Sequence, residues 1–297
     1  MTVHKDFAVG VDRANWPYAY LDEFMKTSVR LAMLKAICIP GYQVPYVSEE
    51  VPIARGYGSG GLQITLSLIG PEDRYKIIDE GDDETVNAVN LRRLVGEVTG
   101  NEATYDSRRA TIIQSRHRAP EFPMVEGQIL VLQSAFPDAL RFFESSEAVA
   151  RRMHAEKDYG KLWLRLYESV VDHGEIMIGG RYPVMVEDRY VLDPTHVPRW
   201  DLPRMNMSPA LFLFCAGREK RIYAIPPYTR VEPLGFEDHP FKVEQQEGNT
   251  CALCGAPNSF LAPMLTADGG RGWVCSDTSF CRVRRGETLE DTQWLPH

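Results

Sequence analysis

The residues best suited to chemistry are the cysteines. Cys38 and Cys215 stand alone, while Cys251, Cys254, Cys275 and Cys281 crowd the C-terminal tail of the 297-residue chain. Cys251-Ala-Leu-Cys254 is a pair spaced to grip one metal ion or cluster. After twenty intervening residues Cys275 returns, as from a hairpin, to supply a third ligand. The fourth spacing is irregular: Ser-Asp-Thr-Ser-Phe separates Cys275 from Cys281, where a closed zinc ribbon usually ends in a second pair two residues apart. Spacing alone leaves two readings open. One is a structural zinc site with four thiolates; the other is an open three-cysteine site beside a separate, reactive Cys281.

Three other stretches have the residue types for chemistry. Ile39-Pro40-Gly41-Tyr42 reads first as a helix stop and turn. A glycine Cα–H between two amides can also lose hydrogen to give a delocalised, planar radical. Gln114-Ser115-Arg116-His117-Arg118 follows an apolar β-like run, at the place where ligand sites of α/β sheets tend to lie. Arg116 and Arg118 suit a phosphate or phosphonate and His117 can transfer a proton, although an exposed basic loop fits the same residues. Gly58-Ser59-Gly60-Gly61 is a weak anion motif, since it lacks the lysine of a P-loop and leads into what reads as a strand.

Charge narrows the class. Forty-one acidic residues against 33 basic ones give a net charge of -8, and residues 246–297 hold four arginines, no lysine and six acidic residues. A nucleic-acid-binding finger is normally basic, so nucleic acid is not an expected partner. The N-terminus lacks the apolar run of a secretory signal and no window approaches a membrane span, so a cytoplasmic protein is expected. In a reducing compartment clustered cysteines point to metal or redox chemistry rather than to disulfides.

The elements that must position these residues read as α/β, with α+β as the alternative. Residues 21–37 have the spacing of an amphipathic helix, with Leu31 and Leu34 on its apolar face. Leu62, Ile64, Leu66 and Leu68 alternate with Gln63, Thr65 and Ser67, which predicts a half-buried strand after a glycine-rich loop. Residues 85–98 return to helical spacing, 110–114 and 129–132 read as strands, and 158–171 as a helix. Residues 182–186 and 189–192 flank a turn as a hairpin, and 211–214 and 222–225 are further strands. The expected organisation is a mixed-sheet core over 1–245 with a hairpin-rich central insertion at about 145–210. A small Cys-rich metal-binding module follows over 246–297.

Taken together, Ala-Ile-Cys-Ile-Pro-Gly-Tyr-Gln-Val-Pro ending at Pro45, Gly-Ser-Gly-Gly-Leu-Gln ending at Gln63 and Ser-Arg-His-Arg ending at Arg118 resemble one family, the radical-SAM subunit (subunit J) of the bacterial carbon-phosphorus lyase complex. Gly-Arg-Glu-Lys-Arg-Ile-Tyr-Ala-Ile-Pro-Pro ending at Pro227 and Val-Cys-Ser-Asp-Thr-Ser-Phe-Cys ending at Cys281 carry the same resemblance, which covers nearly the whole chain. It implies that Cys251, Cys254 and Cys275 hold a 4Fe-4S cluster open to S-adenosylmethionine. It also implies that a 5'-deoxyadenosyl radical takes hydrogen from Gly41, and that the glycyl radical generates a thiyl radical on Cys281. Attack of that sulfur on ribose 1-methylphosphonate 5-phosphate is then expected to release methane, and the ribose 2-hydroxyl to displace phosphorus as a 1,2-cyclic phosphate. The resemblance further implies partners of the G, H and I types and an ABC-type ATPase. The competing expectation is a non-catalytic, zinc-stabilised scaffold of a phosphonate-processing complex, four thiolates being a competent zinc site in protein handled in air.

Overall fold

The computed structural model describes residues 27, 30, 31, 33, 34, 43–45, 59–79, 83–116, 118–133, 138–174, 184–188, 190–192, 201–215, 221–239 and 248–289. Gly41, His117 and Cys38 lie outside them.

Four apolar runs, β2 (Tyr75–Ile78), β3 (Ile112–Ser115), β4 (Ile129–Gln133) and β7 (Leu211–Cys215), are buried on nearly every residue, the mark of strands covered on both faces. They pair in parallel. β8 (Arg221–Ile225) and β1 (Gln43–Pro45) extend the sheet antiparallel, giving the order β1-β8-β7-β4-β3-β2.

Strand alternation divides the core between the two faces. Ile77, Ile112, Val131, Leu213 and Cys215 pack with helices α1 (Ser59–Leu68) and α2 (Val86–Thr99). Ile78, Ile113, Leu132, Phe212 and Phe214 pack with Val184, Val186 and Val231 of a second, three-stranded antiparallel sheet. That sheet has the order β6 (Tyr190–Leu192), β5 (Val184–Val186), β9 (Val231–Pro233). Helix α2 begins one residue after Thr85, whose side chain accepts from Ala88 N at 3.2 Å, and it ends on Gly100 in the left-handed region.

Three expectations need correction. Residues 62–68 are helix, not strand, because α1 is buried almost all round and presents no polar stripe by which its period could be read. Of its polar side chains, Ser67 Oγ donates to Gln63 O at 2.7 Å, four residues back, while the Thr65 hydroxyl is buried without a hydrogen-bond partner among the described residues. Residues 27, 30, 31, 33 and 34 are helical as expected, but Met33 faces the core while Leu31 and Leu34 are exposed. Among the described residues the central stretch is mostly helical: α3 (Leu140–Phe143), α4 (Glu147–Glu156) and α5 (Gly160–His173) precede the β5–β6 hairpin, and the short α6 (Leu202–Met205) follows it. Helices α3 to α5 bury their own cluster, including Leu140, Met153, Leu162, Leu166 and Val170. None of the described helices is long and apolar enough to cross a membrane.

Candidate metal centre and its docking to the sheet

Three elements bring the tail's thiols together. The Cys251–Cys254 knuckle closes when Gly255 N donates to Cys251 O at 2.8 Å, and Gly255, at φ 67°, takes the left-handed turn that a side chain would strain. The hairpin of β10 (Leu261–Leu265) and β11 (Arg271–Cys275) returns the chain and ends on Cys275. Ala252 N donates to Trp273 O at 2.8 Å, fastening knuckle to hairpin. Helix α7 (Thr278–Arg284) then carries Cys281 on its first turn.

The irregular spacer has a structural reason. Asp277 is the cap of α7, its Oδ1 accepting from Phe280 N at 2.9 Å, so the five residues between Cys275 and Cys281 are a cap and the start of a helix.

The four Sγ atoms all lie within 4.8 Å of one another, with Cys251 and Cys281 at 3.7 Å and Cys254 and Cys275 at 3.5 Å. A tetrahedral ion with metal–sulfur bonds of ~2.3 Å sets its sulfurs about 3.8 Å apart, so the spacing matches a single ion. Cys251 Sγ accepts from Cys254 N at 3.5 Å and Cys275 N at 3.3 Å. Burial opposes ionisation of Cys251, but these amides outweigh it and draw the thiol down to about 6. Burial and the neighbouring thiols push Cys281 up to about 12 and raise Cys275 as well. Cys215, by contrast, is buried on β7 with its thiol pushed up to about 12 by desolvation and donating to Leu132 O at 3.6 Å; it behaves as a small core residue.

The module is held to the sheet by buried polar contacts that the sequence did not announce. Arg118 is 2% exposed; its Nε donates to Ser276 Oγ at 3.1 Å and its Nη1 to Asp277 Oδ2 at 3.3 Å. Glu121 N also donates to Asp277 Oδ2 at 3.2 Å, and Glu121 Oε1 accepts from Phe260 N at 2.7 Å. Burial disfavours the Asp277 carboxylate, yet Arg118, Lys76 and the two amides hold its pKa below the ordinary value. Arg204 pairs with Glu121 and with Asp201, the latter at 3.2 Å, and reaches Asn258 O in the module. Asp201, fully buried, is raised to about 7 by desolvation that Arg204 only partly offsets. Lys76 and Asp83 form a second buried pair at 2.9 Å, joined by Ser279 of α7. Phe280 packs edge-on to Phe122 at 5.1 Å between ring centroids.

These contacts redistribute the expected phosphate ligands. Arg118 is committed to the module, and Arg116 pairs with Asp79 at the sheet's edge. Nearby, Gln114 and Gln133, at the C-terminal ends of β3 and β4, are buried with carbonyl oxygens that accept no hydrogen bond. A Cβ on Gly61, in the first turn of α1, would meet Gln133 Cβ and Oε1 at 3.4 Å. The glycine therefore lets the helix start approach this polar end of the sheet. The sequence signal was present, Gly60-Gly61 and two glutamines near strand ends, but it takes the parallel register, with Gln114 opposite Val131, to put the glutamines diagonally on one face of the sheet.

Fold and site define a mixed α/β protein with a four-thiol metal centre lashed to the C-terminal end of its parallel strands. The chain belongs to the family described as phosphonate metabolism protein PhnJ, which it matches over residues 14–287. A protein of Rhizobium meliloti (strain 1021), named alpha-D-ribose 1-methylphosphonate 5-phosphate C-P-lyase, is 51% identical over 275 residues, 92% of each chain. The Escherichia coli (strain K12) protein of the same name is 49% identical over 270 residues, 91% of this chain and 96% of that one.

Proposed function

We propose that this chain is a lyase that cleaves the carbon–phosphorus bond of alpha-D-ribose 1-methylphosphonate 5-phosphate by radical S-adenosylmethionine chemistry, giving methane and ribose 1,2-cyclic phosphate 5-phosphate. What carries the reading is that four thiols from three elements converge, one of them on a separately anchored helix, in a chain half identical to proteins named for this reaction. The donor set suits a thiophilic metal, since one of its thiols already ionises readily. Cys251, Cys254 and Cys275 would hold a 4Fe-4S cluster, which when bound supplies the electron that turns S-adenosylmethionine into a hydrogen-abstracting radical.

The chain's own residues do the rest. Gly41 gives up its Cα hydrogen, and the missing side chain lets the radical become planar between two amides. Cys281 then loses its S–H hydrogen to that radical, which restores the Gly41 Cα–H, and its sulfur attacks phosphorus, forming the S–P bond as the P–C bond breaks and a methyl radical leaves. The methyl radical takes the Gly41 hydrogen to become methane and re-forms the glycyl radical, and the ribose 2-hydroxyl then displaces sulfur from phosphorus to close the 1,2-cyclic phosphate, its proton returning to the Cys281 thiolate. Arg116 and His117 receive the phosphate groups, with Arg118 acting from behind through the module. The open carbonyl oxygens of Gln114 and Gln133 suit hydroxyl donors such as those of a ribose. Partners of the G, H and I types and an ABC-type ATPase complete the assembly.

The sulfur spacing favours one second reading, a zinc-stabilised scaffold without catalysis. Anaerobic reconstitution with iron and sulfide separates the two. The lyase reading requires iron–sulfur absorbance, cleavage of S-adenosylmethionine, methane release, and a glycyl radical signal that vanishes in Gly41→Ala. Methane released at the normal rate by Cys281→Ala with its cluster intact would overturn the thiol's role.

A further inference from the structure

We infer that Ser279, backed by Lys76 and Asp83, is a positioning residue for Cys281 and fixes that thiol to the α/β core. The inference rests on the reading of Cys281 as the reacting thiol. It starts from how differently the thiols are placed. Cys251, Cys254 and Cys275 are set by backbone hydrogen bonds inside the knuckle and hairpin. Helix α7 is tied outward instead. Asp277, its cap, fixes where the helix starts, because one carboxylate oxygen holds Phe280 N and the other receives Arg118 and Glu121 N.

A fixed start leaves the rotation of a short helix about its axis undetermined. Ser279 supplies that constraint. Its hydroxyl donates to Asp83 and accepts from Lys76 Nζ at 3.2 Å, within an ion pair whose lysine is 1% and aspartate 5% exposed. At 3.6 residues per turn, positions two apart point about 200° from each other. A serine seated in the core pair therefore turns Cys281 to the opposite side, toward Cys251 Sγ at 3.7 Å. A hydroxyl shared by a buried ammonium and a buried carboxylate cannot be given up without leaving both under-satisfied, so this seat is rigid. Cys281 is thereby held beside the metal whether or not it ligates it. That is what a thiol must satisfy if it is to leave the metal's shell, react and return.

The test uses the full-length chain, freed of metal and loaded anaerobically with cobalt(II), read by its thiolate-to-cobalt absorption. The wild type gives a four-thiolate spectrum, and Cys281→Ala loses about a quarter of the intensity, one thiolate in four. Ser279→Ala is expected to show the same loss. Ser279→Thr, which keeps the hydroxyl, restores the intensity, while Ser279→Val, the same shape without it, does not. If Ser279→Ala fails to fold by circular dichroism, the threonine–valine comparison and Asp83→Asn, which removes the charge that the hydroxyl donates to, decide the matter. Full four-thiolate intensity in any folded variant lacking the hydroxyl overturns the inference. Failure of the catalytic reading is separate: Cys281→Ala that still releases methane removes that role and leaves the cobalt result standing.

Discussion

Cys251 and Cys281 lie 3.7 Å apart, yet their surroundings prepare them for opposite chemistry. Around Cys251 the backbone turns two amides inward and draws the thiol down to about 6, which suits a group that must bind a cation as thiolate. Around Cys281, burial and neighbouring thiols push the pKa up to about 12, which keeps the proton on sulfur. On the proposed reading Cys251 is a ligand and Cys281 the hydrogen donor, yet the thiol of Cys275, a ligand on the same reading, is raised too. The comparison teaches that what sets Cys251 apart is the pair of amides turned toward its sulfur, and that protonation in the metal-free cluster does not by itself divide the two roles.

The largest effect should come from splitting these roles. Cys251→Ala is expected to lose both bound metal and methane release, whereas Cys281→Ala keeps its metal and loses only methane, as elemental analysis and gas chromatography would report. If both variants lost metal alike, the contrast would fail. Next comes the clamp behind Cys281: Asp277→Ala leaves Arg118 buried without its carboxylate and removes the cap of α7, at a cost of about 3–5 kcal/mol in chemical denaturation. The corresponding blow to the knuckle is smaller. Gly255→Ala forces a side chain into the left-handed region and should cost about 1–2 kcal/mol, with weaker metal binding but little effect on the docking of α7.

A subtler effect is expected from pH. Asp201 holds its proton in the folded protein up to about 7, while the unfolded chain gives it up near the ordinary value of 3.8. Between those values the folded state binds the extra proton, so this group makes stability fall as pH rises from about 4 to about 7 and then level off. Thermal midpoints of Asp201→Asn should lack that decline, and an unchanged slope would mean that Arg204 keeps Asp201 ionised.

Much of the frame was legible in the sequence. The apolar runs expected as strands at 110–114, 129–132 and 211–214, and the helix expected over 85–98, fall on β3, β4, β7 and α2 to within two residues at each end. The cysteine cluster was legible too, because thiols at knuckle and hairpin spacing have few other uses. What escaped depends on burial that crosses the chain. Leu62 to Leu68 alternates like a strand because every side of α1 is covered, so polarity no longer reports the period. β2 was missed because Lys76 interrupts Tyr75-Lys76-Ile77-Ile78, and Asp83, Ser279 and the Tyr105 carbonyl together make a lysine acceptable there. The spacer Ser-Asp-Thr-Ser-Phe read as a gap between ligands. It proved to hold the contacts that locate one of them.

Arg118 also bears on how the chain is made. It is a buried cation whose carboxylate partner, Asp277, lies 159 residues further along. While the chain is growing on the ribosome, the C-terminal end of the parallel strands carries a charge with no counter-ion from the tail, and chains in solution do not bury such charges unaided. Closure of that end therefore waits for the C-terminal segment to emerge. A nascent chain released early would leave it accessible to chaperones and proteases, so closing that end also delivers Cys281 to its place.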